Sequence, residues 1–95
     1  MELAEIFKVL SDENRLKIVR LISKNKMCAS EILEHIKISQ PTLSHHMRVL
    51  SNAEIIKTDK TGTQVYYEIN KAKVRCLCSF VREISCNNNN CREGE

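Results

Sequence analysis

Only two glycines occur in the 95 residues, at positions 62 and 94. No glycine-rich loop is therefore available to cradle a nucleotide phosphate, and no acid–base cluster or oriented nucleophile–histidine–carboxylate triad accompanies the cysteines. A hydrolase or transferase built on a Cys–His pair is set aside, and the chain reads as a non-enzyme with no organic cofactor. No stretch reaches transmembrane length. The N-terminus, MELAEIFKVL, carries two glutamates and lacks the basic flank and long apolar run of a secretory signal. The expected location is the cytoplasm, with no membrane partner. Thiols are kept reduced there, so five cysteines, an odd number, argue against a disulfide framework and for metal binding, redox chemistry or burial. There is also no internal repeat.

What is present fits one small domain, and a chain this short gains core by pairing with a second copy, so a homodimer is expected. Fifteen Lys and Arg against twelve Asp and Glu give a formal charge of +3, compatible with a polyanionic partner. Leu3, Ile6, Phe7 and Leu10 recur at helical spacing, and Ser11 with Asp12 caps a second helix holding Leu16, Val19 and Ile22. After a polar break at Lys24, Asn25 and Lys26, a short third helix begins near Cys28 and turns Ile32, Leu33 and Ile36 inward. The brief link Lys37-Ile38-Ser39 leads to SQPTLSHHMRVL, a fourth helix with Gln40 at its cap and Pro41 at its first position. Glu54 to Thr58 and Gln64 to Ile69 read as two strands of a β-hairpin tipped by Gly62. Helical spacing returns from Lys71 to about Ser85 through Val74, Leu77, Val81 and Ile84, and the four asparagines at 87–90 offer nothing to bury. The division expected is a folded unit over 1–85 and a flexible tail over 86–95.

Two short helices joined by a tight turn, the second polar along one side and followed by a hairpin, form the pattern of a winged helix-turn-helix. The fold class is therefore mainly α with a small β-hairpin wing (α+β). At about 100° per residue, Leu43, Met47 and Leu50 share the packing face, while Pro41, Ser44, His45 and Arg48 share the opposite one. Ser44, His45 and Arg48 can meet base edges or phosphate, and Gln40 and Thr42 flank them where helix N–H groups favour phosphate. His46 reads as a core-boundary histidine rather than a DNA contact or ligand. Lys60, Thr61 and Thr63 on the wing would touch phosphate without reading sequence. The expected partner is double-stranded operator DNA, not RNA.

FKVLSDENRLKIV, SQPTLSHHMRVL and TGTQVYYEIN, in that order and spacing, together resemble the ArsR/SmtB metalloregulators, dimeric winged-helix repressors of bacteria and archaea. The resemblance covers Leu3 to Val74. It implies that the first and last helices form the dimer interface, that Gln40, Thr42, Ser44 and His45 face DNA, and that an inducing ion releases the repressor. Two departures leave DNA reading untouched. Lys37 stands where members usually place a turn glycine, so a left-handed backbone there would cost about 1 kcal/mol. Asp12-Glu13-Asn14-Arg15 stands for Asp-Pro-Thr-Arg, losing only the restraint that proline places on the second helix.

The cysteines carry the remaining chemistry. Arsenic-sensing members often place C-x-C at the third helix, and MCASEIL keeps Cys28 but has Ser30 in the second place. Cys28 is expected at the N-cap of that helix, where a thiolate would be favoured by the helix dipole. Zinc-type members use Asp and His along the last helix, and no histidine follows His46 here. Cys76 and Cys78, two apart in a helix, point about 200° from each other, so one ion cannot take both without local opening. Cys78 falls on the apolar face, where a free thiol often serves as a small hydrophobe. Cys76 faces the other way. Cys86 and Cys91 can close a short loop at little entropic cost. Soft thiolates select thiophilic ions. The resemblance adds that arsenical regulators use three sulfurs, several with C-terminal cysteines. The expected inducer is As(III) or Sb(III), held by Cys86, Cys91 and one of Cys76, Cys78 or Cys28; Cd, Pb or Zn would also suit an all-thiolate site. A thiol-redox repressor and a winged-helix protein–protein adaptor are the other readings.

Overall fold

In the computed structural model, which describes residues 3–86, every helix after the first begins where a polar side chain satisfies a backbone N–H group that the helix cannot. Helix α1 (Leu3–Leu10) buries Ile6 and closes with the Ser11 hydroxyl donating to the Lys8 carbonyl. Asp12 caps α2 (Glu13–Ile22) as expected, its carboxylate accepting the Arg15 N–H at 3.0 Å. Ile18 and Ile22 of α2 face inward, whereas Leu16 is 49 % exposed.

A two-residue strand β1 (Met27–Cys28), absent from the sequence reading, precedes α3 (Ala29–Leu33). Cys28 does stand at the α3 N-cap, and the Glu31 side chain reaches back to its N–H at 3.0 Å. The link to α4 (Gln40–Asn52) runs from residue 34 to 39, longer than the three residues read from the sequence, and begins with turns in which the N–H groups of Glu34 and His35 bond to the carbonyls of Glu31 and Ile32. Those turns keep Ile36 in the core beyond the end of the helix. Positive φ occurs among the described residues only at Glu54 and Gly62, so Lys37 is not left-handed and its lack of a glycine costs nothing there. The α4 cap is also corrected: Ser39 holds it, accepting the Thr42 N–H at 3.3 Å, and Gln40 and Pro41 are the first two helical residues.

The first wing strand begins later than expected. Helix α4 ends in a Schellman motif, with the Ile55 N–H on the Leu50 carbonyl at 3.1 Å and the Glu54 N–H on that of Ser51 at 2.9 Å. Glu54 is the left-handed residue of that motif, at φ 62°, and so cannot start a strand. Strands β2 (Ile56–Thr61) and β3 (Gln64–Ile69) pair antiparallel, Ile56 opposite Ile69 and Thr61 opposite Gln64. Gly62 with φ 62° opens the two-residue loop, the first position of a type II′ turn. β1 pairs with the free side of β3, Met27 opposite Tyr67, giving sheet order β1-β3-β2. Helix α5 (Lys71–Ser85) is capped by Asn70, which accepts the Lys73 N–H. Of the tail expected over 86–95, all but Cys86 lies outside the described residues.

Candidate nucleic-acid interface and thiol groups

Helix α4 divides along its length. Leu43, Met47 and Leu50 are buried in a core completed by Ile18, Ile32, Ile55 and Ile56. Pro41, Thr42, Ser44, His45 and Arg48 are all exposed, as is Gln40, so each of the five side chains expected to meet DNA is open to solvent. Ser39 engages Thr42 as well as capping the helix: its hydroxyl donates to Thr42 Oγ1 at 2.9 Å. The Thr42 hydroxyl thus keeps its own proton for a further acceptor.

Lys60, Thr61 and Thr63 are exposed at the wing tip. The wing is braced from below by Lys26, which pairs with Asp59 and lies 5.6 Å from the Tyr66 ring centre. The Asp59 hydrogen bond pushes the Lys26 ammonium above its ordinary range. Between α4 and the wing runs a groove of about 300 Å³ lined by Ser44, Met47, Arg48, Ser51, Thr58 and Tyr67. Ser51, Thr58 and Tyr67 were missed in the sequence. Ser51 repeats the Ser44–Arg48 face one turn on, and Thr58 lies opposite Tyr67 in the ladder, so helical and cross-strand periodicity together could have found them.

His46 is buried behind the reading face, 7 % exposed. Arg15 Nη1 lies 3.2 Å from its Nδ1, and Asp12 Oδ2 is 3.9 Å from its Nε2. Arg15 Nε also donates to the Val9 carbonyl at 2.6 Å. A guanidinium only donates, so Nδ1 is the unprotonated ring nitrogen and the ring proton sits on Nε2, toward Asp12. Burial pushes the His46 pKa down, against the pull of the Asp12 carboxylate. The Arg15 N–H holds the Asp12 carboxyl below its usual value.

The cysteines occupy two regions. Cys28 is buried, its Sγ 3.2 Å from the Ser30 hydroxyl at the start of α3. Cys76, Cys78 and Cys86 are free thiols on and just after α5, the first two exposed. Cys78 and Cys86 line one shallow apolar groove of about 710 Å³ with Val74, Leu77, Val81, Arg82 and Ser85, and Cys76 is not in its wall. Cys78 therefore lies on the apolar side of α5 and is exposed among the described residues. Cys91 lies outside the described residues, and among the described residues no three ligand side chains gather around one point.

Comparison with known proteins bears on this arrangement. Residues 12–58 match the family described as "Bacterial regulatory protein, arsR family". The chain is 41 % identical to an arsenical resistance operon repressor of Staphylococcus aureus over 95 % of its own length and 86 % of that protein. It is 38 % identical to a cadmium resistance regulatory protein CadC homolog of the same species, over 81 % of this chain and 64 % of that one. Among solved structures, an ArsR-like transcriptional regulator from Rhodococcus sp. RHA1 superposes with a TM-score of 0.79 at 22 % identity, covering 90 % of this chain and 80 % of the other.

Proposed function

We propose, from the premise that this chain belongs to the ArsR family of bacterial regulatory proteins, that it is a homodimeric transcriptional repressor which grips operator DNA through α4 and the wing and lets go when a thiophilic ion binds. As(III) or Sb(III) is the inducer this reading favours. The repressor and operator part rests on the family and on the exposure of Gln40, Thr42, Ser44, His45 and Arg48, of which Ser44 and Arg48 line the wing groove. Arg48 and His45 supply base-edge donors, and Lys60, Thr61 and Thr63 supply phosphate contacts.

One observation carries the sensing part: Cys78 and Cys86 share a groove on the apolar face of α5 that the described residues leave uncovered. An ion held there, with Cys86 and Cys91 as two sulfurs and a third from Cys76, Cys78 or Cys28, sits against the surface that would pair two copies. Binding would then bias the angle between the two reading helices. It does so only if the ion binds the DNA-free arrangement more tightly than the DNA-bound one. The names of the arsenical and cadmium resistance relatives support an ion as inducer and keep cadmium as the second candidate.

The test is a gel-shift titration with arsenite, antimonite, cadmium, lead and zinc in turn. The double variant Cys86→Ser, Cys91→Ser is expected to bind operator like the wild type and to need roughly a hundredfold more arsenite for release, the loss of two of three thiolate ligands. Undiminished release would remove the C-terminal thiols from the sensor.

A further inference from the structure

The proposed reading face accounts for the exposed side of α4 but not for the polar contact buried behind it. Arg15 there touches three segments. Its N–H bonds to the Asp12 carboxylate, its Nε to the Val9 carbonyl in the last turn of α1, and its Nη1 to His46 in the middle of α4. Val9 is among the last residues of α1, whose carbonyls have no partner within their own helix, so this bond supplies one of them. Helix α1 in turn packs on α5 through Phe7 and Phe80, ring centres 5.8 Å apart. His46 lies between His45 and Arg48 on the sequence of α4, so a turn or slide of the helix at His46 re-aims both.

We infer that Arg15 is a positioning residue for DNA reading: its guanidinium joins the end of α1 to the back of the reading helix and holds that helix at the rotation in which Ser44 and Arg48 face the groove and His45 stays open to solvent beside them. This rests on the repressor reading above. The geometry is specific to arginine, because one planar fork meets the Val9 carbonyl and the His46 ring at once, and a lysine ammonium on its flexible stem has no such pair of directions. The contact also demands an acceptor at position 46, whereas filling space demands none. That difference separates positioning from packing.

The experiment uses the full chain and a duplex selected by the wild-type protein from a random-sequence pool, beside an unrelated duplex of equal length. Affinity for each is measured by fluorescence anisotropy at one salt concentration, and thermal stability by circular dichroism. Arg15→Lys is expected to weaken the selected duplex roughly tenfold, the weight of one hydrogen bond to a charged group, and the unrelated duplex less than about twofold. His46→Leu, apolar and similar in bulk, is expected to keep its melting temperature and lose the same selective affinity. His46→Gln offers Oε1 as acceptor and is expected to recover most of it. Wild-type selectivity in His46→Leu, or a loss in His46→Gln equal to that in His46→Leu, overturns the inference. So does an affinity loss shared equally by both duplexes. Should His46→Leu not fold, Arg15→Lys decides alone, its selective loss supporting and its unchanged selectivity overturning the assignment. A wild-type protein that selects no sequence removes the repressor reading itself, and the inference falls with it.

Discussion

A neutral imidazole stays neutral at position 46 because its surroundings disfavour charge on balance. Burial and the Arg15 guanidinium oppose protonation, the exposed neighbour His45 adds a little to them, and only Asp12 favours it. The pKa of the folded chain therefore lies below the ordinary 6.5, so as pH falls through 6.5 the unfolded chain takes up the proton first. The stability linked to His46 is complete above pH 6.5, declines on acidification down to the folded pKa, and changes no further below it. Asp12 behaves likewise in a lower window: its carboxyl is held below the ordinary 3.8, so its contribution is present above that pH and lost beneath it. Thermal melts from pH 8 to pH 3 test both. The difference between wild type and His46→Gln should begin to change near pH 6.5, and that between wild type and Asp12→Asn should change below about pH 4 and also within the His46 window, because Asp12 favours the His46 proton. A His46→Gln difference that stays level across the upper window would mean that the imidazole is not shielded in the folded state. None of this contact was legible in the sequence beyond the reading of His46 as a boundary residue, since Arg15 and His46 stand 31 positions apart and neither breaks a local pattern.

Among the elements, those with a full period were legible and those decided by one or two residues were not. Helices α1, α2 and α5 and the strand Gln64–Ile69 repeat an apolar spacing long enough to read, and the two faces of α4 follow from 100° per residue. Two residues make no period, so β1 was invisible until β3 supplied its partner. Glu54 misled for a different reason: glycine is the usual left-handed residue after a helix, and a glutamate followed by two isoleucines reads as the start of a strand. The structure sets a prediction on that residue. Glu54 holds φ 62° at a steric cost that glycine would not bear, and in return its carboxylate lies 3.3 Å from Lys73 Nζ. That pair joins a largely exposed carboxylate, so it contributes little. Glu54→Gly and Glu54→Ala both lose the pair, and only alanine keeps the strain. The glycine variant should be the more stable of the two by about 1 kcal/mol, a gap of several degrees in melting temperature for a domain this size. Equal melting temperatures would show that the left-handed turn is strain-free for a side chain.

For the molecule as a whole, the residues left uncovered say more than those buried. Phe7 is 43 % exposed, Val81 49 % and Ile84 59 %, and α5 buries no residue fully even though it carries a continuous apolar side. The sequence made that side visible but could not tell whether the rest of the chain would cover it; the described residues leave it open. The reading proposed above covers it with the same face of a second copy, and two linked reading helices would then bind two half-sites one helical turn apart. Val81→Glu tests this without touching α4 or the wing. If the face pairs with itself, each copy buries a carboxylate with no partner at a desolvation cost that weakens self-association by about a hundredfold or more. Sedimentation equilibrium should show the wild type as a dimer at concentrations where Val81→Glu is a monomer, with the two melting alike once differences in association are allowed for. Operator affinity should fall with the dimer and return as protein concentration is raised, because the half-site contacts remain intact. A Val81→Glu protein that sediments as the wild type does would place the pairing surface elsewhere, and the groove holding Cys78 and Cys86 would then have no route by which a bound ion could move one reading helix against the other.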